Sequence, residues 1–295
     1  MSIQIVTDST SDIPKNVVDA LPISVVPLYI IVNGVDYLDL VDISREEFYQ
    51  QLPDSKPLPT TAAPSPEQFL QVYHAAADRG ATAIFSIHIS ESFSAILKAA
   101  KSAAESFNRI PVHVIDSGNL TLAEGLIVVK AAEAAKAGKS EEEVKAAIDS
   151  VIPRAHAYAK LDTIDYLLRG GRMSSIQYSV VSMLGIKPIL KMNNHISRME
   201  IARTKRKAFE RVLHTAIETI PFAESFGITH AAAPQQAGEL VLRIKEMIPG
   251  LSDPMVSEVT PALGVHVGPG SLCFNWIESL AHVESEKKGL RKWFS

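Results

Sequence analysis

The feature that most constrains this 295-residue chain is a rhythm. Short β-branched runs at residues 3–6, 23–32, 83–89 and 112–115 alternate with stretches whose apolar residues recur at helical spacing, a pattern that predicts an α/β domain. The helix starts are written in capping chemistry. Ser65-Pro66-Glu67-Gln68 is a capping box with proline at the first helical position, and its helix should run through Phe69, Val72 and Tyr73 to a stop near Gly80. Ser44 with Glu47, and Ser140 with Glu143, repeat the signature. An alanine-rich helix over 122–136 stops at Gly138, and the next helix carries Val144, Ile148 and Ile152.

The pattern changes near Leu161. A short helical segment closes in Arg169-Gly170-Gly171-Arg172 and leads into an apolar stretch over 180–190. The runs at 185–191 and 196–202 bracket Asn193-Asn194-His195, which suits a hairpin turn. Arg203-Thr204-Lys205-Arg206-Lys207 then opens a helix containing Phe209, Val212, Leu213 and Ile217. Strands at 226–229 and 255–259, with a helix over 236–247 between them, make the second half α/β as well, with at least one antiparallel pair. Two domains are expected, 1–160 and 161–295, which suits the length of the chain.

Composition excludes several classes. With 46% hydrophobic and 21% charged residues the chain is too apolar for a disordered protein. A net charge of −4 without a basic stripe argues against nucleic acid as a partner. Cys273 is the single cysteine, so neither an intrachain disulfide nor a cysteine-built zinc site can form. The histidines are scattered without metal-ligand spacing, and no metal is expected. The uncharged stretch 20–35 contains Pro22 and Pro27 and falls short of the roughly 20 apolar residues that span a bilayer. The first residues lack the pattern of a signal peptide, so a cytoplasmic protein without stable membrane insertion is expected.

Ligands of open α/β sheets bind beyond the carboxyl ends of strands. That rule selects Thr7-Asp8-Ser9-Thr10, Ser90-Glu91-Ser92-Phe93-Ser94 and Asp116-Ser117, all rich in hydroxyls, and Pro59-Thr60-Thr61 adds two threonines on a proline-bounded loop. Ser94 stands where a helix N-cap belongs, beside N–H groups that suit an anion. His266 lies in Gly264-Val265-His266-Val267-Gly268-Pro269-Gly270, a segment whose flexibility would let backbone approach a ligand closely. Each residue also has a structural reading: Ser94 as a plain cap, the threonines as turn residues, His266 as a packed histidine, Arg172 and Arg203 as surface charges. Gly-x-Ser-x-Gly is absent, which argues against a serine hydrolase. Gly138-Lys139-Ser140 is a helix stop and no phosphate loop, because Glu133 stands where the first glycine would be.

Taken together, Thr7-Asp8-Ser9-Thr10, Pro59-Thr60-Thr61, Asp116-Ser117, Gly170-Gly171-Arg172, Ile186-Lys187-Pro188-Ile189-Leu190 and His266-Val267-Gly268-Pro269-Gly270 resemble the DegV family, in order and over nearly the whole chain. The resemblance implies a two-domain α/β fold with an N-terminal mostly parallel sheet flanked by helices and a C-terminal mixed α/β domain. It implies one long-chain fatty acid, such as palmitate, stearate or oleate, bound noncovalently between the domains without a cofactor. It also implies a carrier, not an enzyme, that presents the acyl chain to a fatty acid kinase in phospholipid metabolism. On this resemblance Thr61, with Thr60, grips the carboxylate together with Ser94 and His266, while Arg172 and Arg203 occupy the positions of kinase-docking arginines. The family's Ser-Ser-x-x-Ser-Gly-Thr loop is altered at Glu91, Ala95 and Ile96, and Ala62 stands where serine is usual. Segments 23–32, 84–89 and 180–190 are the expected walls of an apolar tunnel. The alternative makes Ser94 the nucleophile of an acyl- or phosphoryl-transfer enzyme, with His266 as its base.

Overall fold

The structure, a computed structural model, describes residues 2–171, 185–193 and 195–285. Arg172, Asn194 and residues 180–184 of the expected apolar stretch lie outside them. In chain order the strands are β1 (Ile3–Asp8), β2 (Ile23–Val26), β3 (Tyr29–Val32), β4 (Val35–Leu38), β5 (Thr60–Ala62), β6 (Ala83–His88), β7 (Val112–Asp116), β8 (Ala155–Lys160), β9 (Lys187–Asn193), β10 (His195–Ala202), β11 (Ala223–His230), β12 (Met255–Glu258) and β13 (Leu272–Glu278). The helices are α1 (Lys15–Ala20), α2 (Arg45–Gln51), α3 (Pro66–Asp78), α4 (Ile96–Ser106), α5 (Thr121–Lys136), α6 (Glu141–Val151), α7 (Asp165–Arg169), α8 (Lys205–Thr219), α9 (Pro234–Met247) and α10 (Pro261–Val267).

Strands β2-β1-β6-β7 form a wholly parallel sheet, and β10-β9-β8-β13-β11-β12 form a mixed one. The α/β class is therefore the one expected, parallel sheet first and mixed sheet second. A small antiparallel sheet, β4-β3-β5, stands beside them. The capping boxes close at α2, α3 and α6; at α6, Ser140 Oγ accepts the Glu143 N–H at 3.2 Å while Glu143 accepts the Ser140 N–H at 2.8 Å.

One expectation about the strands is corrected. The run at 23–32 is two strands, because Pro27 has no N–H to continue the ladder with β1, and β3 leaves for the small sheet. There Asn33 and Gly34, at φ +52° and +80°, make a two-residue hairpin turn into β4. Strands β8 and β13 pair with each other in the middle of the mixed sheet, although neither was marked by β-branched alternation. Since β8 precedes residue 160, the chain passes between the large sheets at 152–154, and we propose its division there with β8 on the C-terminal side.

Helix α5 joins the halves. It packs on β1 on one side and on β8, β11 and β13 on the other, and residues of every turn are buried. Over residues 121–129 no side of it faces water, so that stretch must be largely apolar all round, which Leu122-Ala123 and Leu126 through Val129 supply; Glu133 and Lys136 near its end are exposed. Two glycines let it approach so closely. A Cβ on Gly125 would stand 2.4 Å from the Ser11 carbonyl oxygen, and one on Gly227 would stand 2.4 Å from the Leu122 side chain. Alanine in place of a helical glycine ordinarily stabilises by about 1 kcal/mol. We predict the opposite sign for Gly125→Ala, a loss of about 1–3 kcal/mol from overpacking against backbone. Urea unfolding measures it, and a stabilised variant would contradict the packing.

Candidate functional site

A cavity with about 940 Å³ of empty space, including its mouth, opens where the carboxyl end of the parallel sheet meets the small and mixed sheets. The three segments expected to form its walls contribute Leu28, Ile89 and Leu190. Most of the wall comes from elsewhere: Leu161 and Leu167 around α7, Met192 and Ile196 of the β9–β10 hairpin, and the stretch from Val259 to Cys273.

Part of the cavity wall is polar. Thr61 Oγ1 and His266 Nε2 lie 3.0 Å apart, joined across 205 positions of sequence, and Ser94 lines the same cavity. Thr61 is placed by β5, which pairs with β3 through Thr61 opposite Ile30. Successive residues of a strand point to opposite faces, so Thr60 is exposed and is not among the lining residues. The structure thus brings Thr61, Ser94 and His266 to one cavity and leaves Thr60 outside it. Ser94 precedes α4, whose cap position is Ala95, one residue later than expected, and Ser94 Oγ accepts the Ile96 N–H at 3.4 Å.

His266 is not on a flexible segment. It sits in the last turn of α10, a helix that starts in Thr260-Pro261, a start signature the glycine-rich surroundings obscured. The glycines have steric causes. A Cβ on Gly170 would lie 2.4 Å from His266 Nδ1, and Gly268, at φ +68°, lies where a Cβ would meet the Tyr166 ring at 2.2 Å. Arg203 is exposed just before Thr204, the N-cap of α8, and is not on the cavity wall.

Threonines also border the apolar part of the cavity, but protein partners engage their hydroxyls. Thr121 Oγ1 donates to Asp12 Oδ2 at 2.6 Å; Thr229 Oγ1 lies 3.0 Å from Thr121 Oγ1 and accepts from Asn275 Nδ2 at 3.3 Å. Thr10 bonds the carboxylate of Asp8 and lies 3.3 Å from Glu124 Oε2. Behind this wall sit four buried acids, Asp8, Asp12, Asp39 and Glu124. Burial pushes the Asp12 carboxyl up to about 7 and Asp39 to about 6, each only partly relieved by hydroxyl donors and by Arg45. Burial also holds Glu124 well above the carboxylate range. Cys273, which entered the sequence reading only as an exclusion, is on the cavity wall, and burial pushes its thiol to about 12.

A second hydrogen-bond chain has the connectivity of a nucleophile, base and acid. Ser86 Oγ lies 2.6 Å from His88 Nε2, and His88 Nδ1 lies 3.0 Å from Asp8 Oδ2. All three side chains are fully buried and none lines the cavity, so no substrate reaches them and the chain is structural. Among the described residues no group of three or more His, Cys, Asp or Glu is placed to hold a metal ion, and no helix is long and apolar enough to cross a membrane.

Fold and cavity define a class: an α/β protein organised on two large sheets, with a mostly apolar chamber whose wall includes Thr61, Ser94 and His266. The DegV family model matches residues 2–279, and the chain belongs to that family. A DegV domain-containing protein of Streptomyces coelicolor is 36% identical over 272 residues, which cover 92% of this chain and 96% of that protein. A DegV family protein from Thermus thermophilus, described by its fatty acid binding, is 29% identical and superposes with a TM-score of 0.84, covering 95% of this chain and 100% of its own. DegV of Bacillus subtilis, described as a fatty acid binding protein, is 28% identical with a TM-score of 0.85 and the same coverage.

The buried acids make a pH prediction. Asp12 and Asp39 hold their protons to about pH 7 and 6 in the folded chain, against 3.8 ordinarily. The folded state therefore binds protons more tightly than the unfolded chain, and the stability this contributes below pH 4 is lost as pH rises toward 7. Asp12→Asn, neutral throughout, should flatten the fall of Tm over that window relative to wild type. An unchanged slope in thermal melts would contradict the assignment.

Proposed function

We propose that this protein binds one long-chain fatty acid noncovalently, its carboxylate held by Thr61, Ser94 and His266 and its acyl chain lying along the apolar wall. The carrying observation is the 3.0 Å contact of Thr61 Oγ1 with His266 Nε2 on the wall of a mostly apolar chamber. Burying about 15 methylenes at roughly 0.8 kcal/mol each supplies on the order of 12 kcal/mol before the cost of association is subtracted. That driving force carries no direction. A desolvated carboxylate costs several kcal/mol unless donors meet it, so the hydroxyls fix which end goes where. Ser94 Oγ accepts the Ile96 N–H, which leaves its own proton for an anion. The Thermus thermophilus and Bacillus subtilis proteins described as fatty acid binding support the reading.

On this reading the protein is a cytoplasmic carrier and not an enzyme. It orients the carboxylate for a separate fatty acid kinase in phospholipid metabolism and contributes no nucleophile of its own. Arg172 and the exposed Arg203 are its proposed docking residues. In a displacement titration with cis-parinarate, Thr61→Val and Ser94→Ala should each weaken binding about 10- to 100-fold, the worth of a hydrogen bond to a charged group. Thr60→Val, outside the cavity, should leave affinity unchanged. Equal losses at Thr60 and Thr61, or none at Thr61, would overturn the site. With a cognate kinase, Arg203→Ala should lower turnover while sparing lipid affinity; normal turnover would overturn the docking role.

A further inference from the structure

We propose that Asp12 is a positioning residue for the polar end of the cavity: its carboxyl group ties the first residue of α5 to the head of α10 and so holds His266 against Thr61. The ligand half of this proposal rests on the fatty acid reading above; the tie itself does not.

The approach to α10 is clasped at three successive residues by side chains from the first fifty positions of the chain. Arg45 Nε donates to the Glu258 carbonyl at 2.9 Å, Tyr49 Oη donates to the Val259 carbonyl at 3.0 Å, and Asp12 Oδ1 accepts the Thr260 N–H at 2.8 Å. The helix then packs so closely on α2 that a Cβ on Gly264 would stand 2.7 Å from Tyr49 Oη and 2.8 Å from the Phe48 ring. The other oxygen of Asp12 takes the hydroxyl proton of Thr121 at 2.6 Å, and Thr121 is both the first residue of α5 and part of the cavity wall. One carboxyl group therefore bridges the buried start of α5, the cavity wall and the start of the helix that bears the imidazole.

Backbone conformation points to the same pair. Asp12 and Thr121 both lie at φ +52°. For a β-branched residue that region is rarely occupied, and such strain persists only where surrounding bonds over-determine it. Here the bond that links the two strained residues is the one that continues to Thr260. His266 lies six residues beyond Thr260, about 9 Å along a helix of two turns, too short to absorb a shift at its head. Loosening Thr260 therefore moves the imidazole relative to Thr61 Oγ1, which is fixed independently by the pairing of β5 with β3.

The test uses the full chain, freed of lipid, as wild type, Asp12→Asn and Asp12→Ala, with thermal melts to establish folding. Two quantities are read: the ring 15N resonances of His266 in the ligand-free protein, and the dissociation constant of cis-parinarate. Asp12→Ala should shift the His266 resonances and weaken the probe at least tenfold. Asp12→Asn, which keeps one acceptor oxygen, should change both by less, and it carries the test if the alanine variant does not fold. Wild-type His266 resonances in the folded variants would overturn the proposal whatever the lipid does. Shifted resonances with unaltered affinity would overturn it as well. If wild type fails to bind the probe while the resonances shift, the fatty acid reading falls and the tie between Asp12 and His266 is upheld.

Discussion

From Thr121 to Val129 helix α5 has no face to water, and the rest of the molecule answers to that constraint. Wedged between the parallel sheet and the mixed sheet, this stretch obliges its polar groups to find partners inside the protein, because an orphaned buried donor or acceptor costs about 1–3 kcal/mol. Glu124 meets this through the hydroxyls of Thr7 and Thr10, and Thr121 meets it through Asp12 and Thr229. A polar layer thus runs along the carboxyl end of the parallel sheet, fully internal. The cavity begins on its far side, where the small sheet and α10 stand off from α5.

The hydroxyls on the cavity wall are of two kinds, and on the proposed function these give the chamber a head and a tail. Thr121 and Thr229 are engaged by protein groups and leave their surroundings apolar in effect, as the neighbouring leucines do. Thr61 and Ser94 line the same cavity, Thr61 Oγ1 in contact with the imidazole of His266 and Ser94 Oγ accepting the Ile96 N–H. The head residues come from a short strand, the lead-in to a helix and the last turn of α10. Their convergence depends on long-range packing, above all on the glycines that let His266 and Tyr166 lie against neighbouring backbone.

What the sequence reveals follows from how local each signal is. Capping boxes at Ser44, Ser65 and Ser140 act within four residues, and each helix forms where its box stands. The strand-end rule likewise marks Ser94 and Thr10, both of which reach the cavity. Strand β8 escapes such a reading because it is alanine-rich and ends in Lys160. That lysine is fully buried only because its ammonium donates to Asp162, Gln236 and the Gly270 carbonyl. The α10 helix escapes because glycines at 264, 268 and 270 mask the Thr260-Pro261 start. The exclusion of Thr60 needs the strand pairing of β5, and the meeting of Thr61 with His266 needs the whole fold, so neither is written in local spacing.

On the proposed function the chamber takes a fatty acid with its carboxylate toward Thr61, Ser94 and His266. A crystal structure of the protein with bound palmitate tests this. The carboxylate is expected within hydrogen-bond distance of Thr61 Oγ1 and Ser94 Oγ, with the acyl chain running past Leu190, Met192 and Leu263. An acyl chain found outside this chamber, or a carboxylate turned toward Thr229 and Ser271, would contradict it.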